Sequence, residues 1–482
     1  MRTLTIVTLA AAVAAAGPLA AQQVASAATG TTPNAAAPNA AAPNGTAPNG
    51  GAAADSGGKP TATAPAKASN LPPIQLQRLR PADQRGINVF ETPKDDPTPY
   101  TGFKLGFGAA FTQQFQGLGQ SNTAAPNVVN GVNTNQLVSI GHGPNNAVAN
   151  AYVGAQLAKG IRVSMTAYLS ARHHNEAWVK DGYLQVDESP LDVPALNTLM
   201  QYVTIKAGHF EINYGDAHFR RTDNGNAMYN PLVGNYILDA FVPQIGGEVY
   251  LRGRGLARGA FVMGGVTNGE EKGMVQKATQ RSPAFLGKVG IDRQLTTDVR
   301  ARLTGSWYGQ SKAANQVLFS GDRAGSRYYS VITNSTDETA TAWTGAVQPF
   351  SGPTGPLHAV VVNPFLKYKG LEYFGNFEQA KGRLATETTL RTITQVVNEV
   401  TLRGLGDDVY LSGRYNTVSG QLAGITNDVS VKRYQVGGGW FVTPTILTKL
   451  EWVNQKYVDF PSKDIRNGAQ FKGFMLEGTV AF

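Results

Sequence analysis

Cysteine is absent from all 482 residues, which excludes a disulfide framework, a thiolate metal site and a cysteine nucleophile. Charge is scarce: 16% of the residues are Asp, Glu, Lys or Arg, against about 25% in ordinary soluble domains, too few for an ordinary soluble surface. The chain also lacks the several runs of about 20 apolar residues that a helical membrane protein requires. Aromatics are nearly missing from the first hundred residues, which hold two of the 43 (Phe90 and Tyr100) but 13 of the 26 prolines. The folded part therefore begins near residue 100. What the chain has in quantity is glycine, 55 residues, and an apolar fraction of 42% that is spread by alternation and not gathered in blocks.

The N-terminus reads as a secretory signal over 1–27: Arg2, a short apolar core from Leu4 to Ala16, then small residues with cleavage sites after Ala21 or Ala27. Residues 28–70 are an Ala/Pro/Asn/Gly-rich stretch with the repeat Asn34-Ala-Ala-Ala-Pro-Asn39-Ala-Ala-Ala-Pro-Asn44. Without aromatics and with few charges it cannot bury enough apolar surface to offset its ordering entropy, so a disordered linker is expected. Residues 71–100, with Arg78, Arg80 and Arg85, form a periplasmic segment that either lies beneath the folded part or enters it.

From residue 101 the period is two. In Ile161-Arg-Val-Ser-Met-Thr-Ala-Tyr-Leu-Ser-Ala-Arg172 the odd positions are apolar and the even ones polar or Tyr, and Val299 to Tyr308 and Val409 to Tyr415 repeat the pattern. Runs of this length exceed the five or six residues of a usual soluble strand and match the roughly nine to eleven of a tilted membrane strand. Sixteen strands are expected, at 101–115, 147–158, 160–172, 178–187, 200–210, 245–253, 256–266, 284–293, 297–309, 360–368, 371–380, 396–404, 408–416, 429–442, 445–456 and 469–482, with 14 or 18 as alternatives. The fourth alternates poorly. Pro364 falls inside the tenth, where a closed barrel offers no free edge, so a bulge or a start at 365 is expected there.

Connections are mostly short turns at one end and long loops at the other, as in an outer-membrane barrel with periplasmic turns. In lipid every backbone N–H and C=O needs a partner, so such strands must close into a cylinder. The fold class is therefore all-β, a transmembrane antiparallel barrel over 101–482. The last strand, Gly473-Phe-Met-Leu-Glu-Gly-Thr-Val-Ala-Phe482, resembles the C-terminal signal by which bacterial outer-membrane proteins engage the barrel-assembly machinery.

Candidate functional residues concentrate in the third long loop, 211–244. Asp216, His218, Arg220, Arg221 and Asp223 would set a transverse field across a pore constriction if this loop folds inward. Folded outward, the same residues would be solvated ion pairs. The pore lumen is assigned Arg162, Arg172, Lys206, Arg252, Arg254, Arg300, Arg302, Arg414, Lys449 and Glu451. The basic excess on polar faces gives a modest anion preference. Asp216, His218 and Asp223, or the pair His173-His174, have metal-ligand chemistry, but no metal site, cofactor or catalytic constellation is assigned; no Gly-x-Ser-x-Gly or His-Glu-x-x-His element occurs. The basic charge is placed in the lumen, so nucleic acid is not an expected partner.

With the strand ending Lys206-Ala-Gly-His-Phe210 and passing Tyr214-Gly215 into the third loop, residues 86–482 resemble the porin superfamily that includes the phosphate-selective porins O and P. The resemblance implies a sixteen-stranded, trimeric channel passing small hydrophilic solutes and ions, set among outer-membrane lipid and lipopolysaccharide. The loop here carries two arginines, no lysine and four acids, Glu211, Asp216, Asp223 and Asp239. It lacks the arginine ladder and lysine cluster of the phosphate-selective members, so a general porin is the better match. A structural or adhesive barrel whose N-terminal linker contacts the cell wall is the alternative.

Overall fold

A computed structural model describes residues 76–92, 94, 98–171, 177–273, 275–319, 327–336 and 347–482. The expected signal peptide and linker, Arg172 and the pair His173-His174 lie outside the described residues. Sixteen antiparallel strands form the barrel: β1 Lys104–Ser121, β2 Val148–Ala158, β3 Ile161–Ser170, β4 Ala177–Val186, β5 Val203–Glu211, β6 Pro243–Arg252, β7 Ala260–Thr267, β8 Ala284–Gln294, β9 Val299–Gln310, β10 Gly352–Tyr368, β11 Leu371–Leu384, β12 Arg391–Gly404, β13 Val409–Gly420, β14 Val429–Thr443, β15 Ile446–Val458 and β16 Gln470–Ala481. Each pairs with the next, and β16 returns to β1 with Ala481 opposite Ala110. No strand edge is left for lipid to solvate, which is the condition for crossing a bilayer.

The outward face is apolar. Leu105, Phe107, Phe111 and Phe115 of β1, Val289 and Ile291 of β8, and Leu476 and Val480 of β16 are all exposed, and so are Trp307 and Trp440. A continuous apolar band on a closed barrel is stable only in lipid, and this is a barrel of the bacterial outer membrane. The tight turns at Lys159-Gly160 and Lys369-Gly370 mark the periplasmic end. Gly160 has φ +67°, and a Cβ there would lie 2.4 Å from Glu188 Cβ. The longer periplasmic connection after β4 contains the helix Pro194–Leu199.

Two local irregularities have physical causes. In β4, Thr166 pairs with Asp181 while Ala167 pairs with Val179, so Lys180 is an extra residue, and it and Asp181 are both buried. This bulge is why the strand alternates poorly. In β10 the chain runs through Pro364 with no register break: Val362 faces Phe377 and Phe365 faces Phe374. The expected bulge or later start is replaced by a side-chain substitute. Asn363 Nδ2 donates to the Gly375 carbonyl at 3.1 Å, next to the site where proline offers no N–H. Glycine at 375 leaves room for the ring, since a Cβ there would sit 2.9 Å from Pro364 Cγ.

Candidate functional site in the barrel lumen

The third loop turns into the barrel. Of its residues from Ile212 to Val242, nearly all are buried, yet apart from the short turn Ala217–Phe219 it has no regular structure. Its backbone donors and acceptors must therefore be satisfied by the wall. Glu248 accepts from the Asn213 N–H (2.8 Å), Ser306 from Gly215 (3.0 Å) and Asn363 from Asp216 (2.8 Å). Across the barrel, Asn416 accepts from Ile237 (2.7 Å), Gln395 bridges the Leu238 N–H and C=O (both 2.8 Å), and Glu451 accepts from Val233 (2.7 Å). Lys449 donates to the carbonyls of Ala227, Asn230 and Leu232 at 2.9–3.1 Å. Arg414 donates to the Gly234 carbonyl at 2.7 Å. The lumenal polar positions that alternation provides thus act as a scaffold for one loop.

The loop's own charges are held in three groups. Asp216 lies among Arg302 (2.8 Å), Lys288 (2.8 Å) and the Thr304 hydroxyl (2.8 Å), and Glu91 closes the group onto Lys288 (2.9 Å) and Arg302 (2.7 Å). Burial by itself would raise both carboxyls, but Arg302 and Lys288 hold Glu91 and Asp216 below the usual carboxylate range. Arg220 pairs with Glu399 at 2.8 Å and contacts Asn88, while Glu399 also binds Arg414 at 2.6 Å. Arg221 makes a fork onto Asp239 inside the loop, at 2.6–3.1 Å, and lies 4.0 Å from the Phe241 ring centroid. That pair joins the third group through Arg221 and Asp223 (3.8 Å), where Lys180 binds Glu211 (3.0 Å) and Asp223 (2.7 Å), and His218 faces Glu211 at 3.2 Å. Burial pushes the His218 imidazole below its ordinary value, with the Glu211 hydrogen bond opposing.

Residues 76–92 enter from the periplasmic end and meet the loop. Arg80 donates to the carbonyls of Phe219 and Gly86 (both 2.9 Å) and covers the Tyr229 ring at 3.7 Å. Asn226 donates to the Ala82 carbonyl (3.1 Å), Asn88 donates to Glu372 (2.7 Å), and Phe90 packs edge-on against Phe219 and Phe365. At the extracellular end the loop between β9 and β10 also turns inward. Its Leu318, Phe319, Ile332 and Phe350 form an apolar core with Leu357 and Val361 of β10, Ile393 of β12 and Val453 of β15.

A cavity of about 560 Å³ lies against β1–β6, bordered by residues 76–92 on one side and by the third loop on the other. His218 and Asp223 border it, and Arg162, Lys206 and Arg252 line it. Asp216, Arg220 and Arg221 lie behind the loop surface in the ion pairs just described. Arg302, Arg414, Lys449 and Glu451 hold the inserted segments, and Arg300 pairs with Asp292 at 2.7 Å. Arg254 is exposed on a periplasmic turn, bonded to Gln201 at 3.1 Å. Sequence reasoning missed Glu91, Lys180 and Lys288. Of these, Lys180 had a legible signal, two adjacent charges interrupting an alternating strand. Among the described residues no group of three or more His, Asp or Glu side chains is placed to hold a metal.

No family model matches the chain, and no curated protein matches it by sequence. Among solved structures it is similar to an anion-selective porin from Comamonas acidovorans, at 10% identity over 79% of this chain and 100% of that one, TM-score 0.48. It is also similar to OprB of Pseudomonas putida (11% identity, 79% and 94%, TM-score 0.46). A third is the outer-membrane channel DcaP of Acinetobacter baumannii (10%, 80% and 99%, TM-score 0.46). The chain is a closed, sixteen-stranded antiparallel barrel of the bacterial outer membrane.

Proposed function

We propose that the protein is an outer-membrane diffusion porin passing small hydrophilic solutes and ions, with a modest preference for anions. The observation that supports this reading is the cavity along β1–β6, which stays open between charged walls. Six Lys and Arg side chains (Arg80, Arg85, Arg162, Lys180, Lys206 and Arg252) and five carboxylates (Asp83, Glu91, Asp181, Glu211 and Asp223) line it, a balance that gives weak selectivity of positive sign. His218 and Asp223 form the narrow border on the third loop, with Asp216, Arg220 and Arg221 fixing that loop from behind. The general-porin branch of the superfamily that includes porins O and P, a homotrimeric assembly, and contact with lipopolysaccharide and the barrel-assembly machinery belong to the same reading. Planar-bilayer recording tests it: stepwise openings with a reversal potential of the anionic sign support it, and silence from folded protein defeats it.

One observation favours a second reading. The third loop, the loop between β9 and β10 and residues 76–92 together fill much of the lumen with satisfied contacts, as in a structural or adhesive barrel that conducts nothing. The same recording separates the two.

A further inference from the structure

The periplasmic half of the cavity wall presents cations without counter-charges. In one cross-strand row Arg162 of β3 and Lys206 of β5 flank Gln185 of β4. Both reach toward Tyr183, with Arg162 Cζ 5.9 Å and Lys206 Nζ 4.4 Å from its ring centroid. Arg162 is 4% exposed; it donates to Ser164 (2.7 Å) and Gln185 (2.8 Å), and its Nε is buried with no partner. Arg252 of β6 lines the same space, and its Nε is likewise buried without a partner. Among the described residues no carboxylate lies within ion-pair distance of Arg162, Lys206 or Arg252.

The acids nearby do not fill this role. Glu248, opposite Lys206 in register, is engaged by the Asn213 N–H at 2.8 Å and the Tyr250 hydroxyl at 2.6 Å. Asp187 accepts from Gln185 (2.7 Å) and Thr204 (2.6 Å). Asp181 faces the cavity from β4 beyond ion-pair reach of Lys206, and its Oδ1 is also without a partner. Arg162 is buried and Lys206 and Arg252 are half-buried; Lys206 Nζ reaches the Glu211 carbonyl, at 3.4 Å, and a bound anion supplies the missing counter-charge through charge-assisted hydrogen bonds. The volume, about 560 Å³, lies in the range of small-molecule sites, and Tyr152, Tyr183, Phe219, Tyr229 and Tyr250 supply flat apolar surface around the cations.

We propose that Arg162, Lys206, Arg252 and Tyr183 form a binding subsite for small organic anions, a carboxylate carried on an aromatic or apolar body, within the channel. This rests on the porin reading only for its role in transport; binding itself is separable. The test uses the full-length protein in detergent, its folded state verified by heat-modifiable mobility, titrated with benzoate by calorimetry with chloride as the control anion. Saturable benzoate binding that weakens at least tenfold in Lys206→Gln and in Arg162→Gln, and tightens in Asp181→Asn, is the expected result. The Asp181 effect is one that a merely structural role for the cations would not produce. Absence of saturable binding by folded wild-type protein, or equal binding by the two glutamine variants, overturns the subsite. In bilayers, conductance without benzoate binding removes the subsite and leaves the channel. Binding without conductance leaves the subsite and removes the channel.

Discussion

Asp216 is the residue through which loop, wall and N-terminal segment are joined, so its removal has a calculable consequence. Lys288 and Arg302 balance Glu91 and Asp216, and all four are nearly inaccessible. Asp216→Ala leaves the two buried cations with Glu91 as their one buried carboxylate, Arg302 keeping only the part-exposed Asp292 at 3.3 Å besides. Breaking a buried pair by removing one partner costs about 3–5 kcal/mol, and at about 1.4 kcal/mol per decade that is two to four powers of ten in a local opening equilibrium. The amides of Gly215 and Asp216, which donate to Ser306 and Asn363, report the opening directly. Hydrogen exchange should accelerate there by about two to four powers of ten, and far less at Leu238, which Gln395 holds on the opposite side of the barrel. Asp216→Asn combined with Lys288→Met restores neutrality and should recover much of the protection. An acceleration below about tenfold at Gly215 and Asp216 would refute this reasoning and assign the loop's position to Lys449, Glu451 and Arg414.

Acid should act through the same group. Since Glu91 and Asp216 titrate below their ordinary values of 4.5 and 3.8, their stabilisation is complete above the unfolded values and is lost as pH falls through the depressed folded values. The gel-shift temperature of the folded barrel should therefore fall steeply only below about pH 4.5, beneath a shallower decline between pH 7 and 5 to which His218 contributes, because its imidazole is held below 6.5 and the unfolded chain takes the proton first; a larger loss above pH 5 than below it contradicts the assignment. Arg220→Glu sets a carboxylate against Glu399 and Glu372 and should abolish the heat-modifiable species; a folded variant would show that this contact is dispensable. Deletion of 76–92 should raise single-channel conductance, because these residues border the cavity from the periplasmic side; unchanged conductance would place the conducting path elsewhere. Deletion of 28–70 should leave conductance intact, and its loss would give that stretch a functional part.

The barrel was legible because lipid and closure impose a period of two, and all sixteen expected strands are present in order. Their extracellular ends were not. β1 continues to Ser121 and β10 begins at Gly352, since pairing persists beyond the apolar band, where the outward positions of β1 are Gly117 and Gly119 and carry no lipid-facing signal. That the third loop turns inward was one of two readings of its charges; burial of Arg220 and Arg221 at 2% and 1% exposure decides it. Which charges border open space was not legible, because alternation assigns a side chain to the lumen without telling what packs there. Arg414 and Lys449 share the polar periodicity of Arg162 and Lys206, yet the first two bind loop carbonyls and the last two face a cavity. The packing of Leu318, Phe319 and Phe350 inside the barrel had no local signal at all, since a few apolar residues in a long loop look alike whether they fold inward or outward.

Single-channel recording in a planar bilayer under a salt gradient decides whether the barrel conducts. A diffusion channel lined by this cavity should give stepwise openings of small conductance with a reversal potential displaced toward the anion equilibrium value. Steady silence from protein whose folded state is verified by heat-modifiable mobility would contradict it and establish a filled, non-conducting barrel.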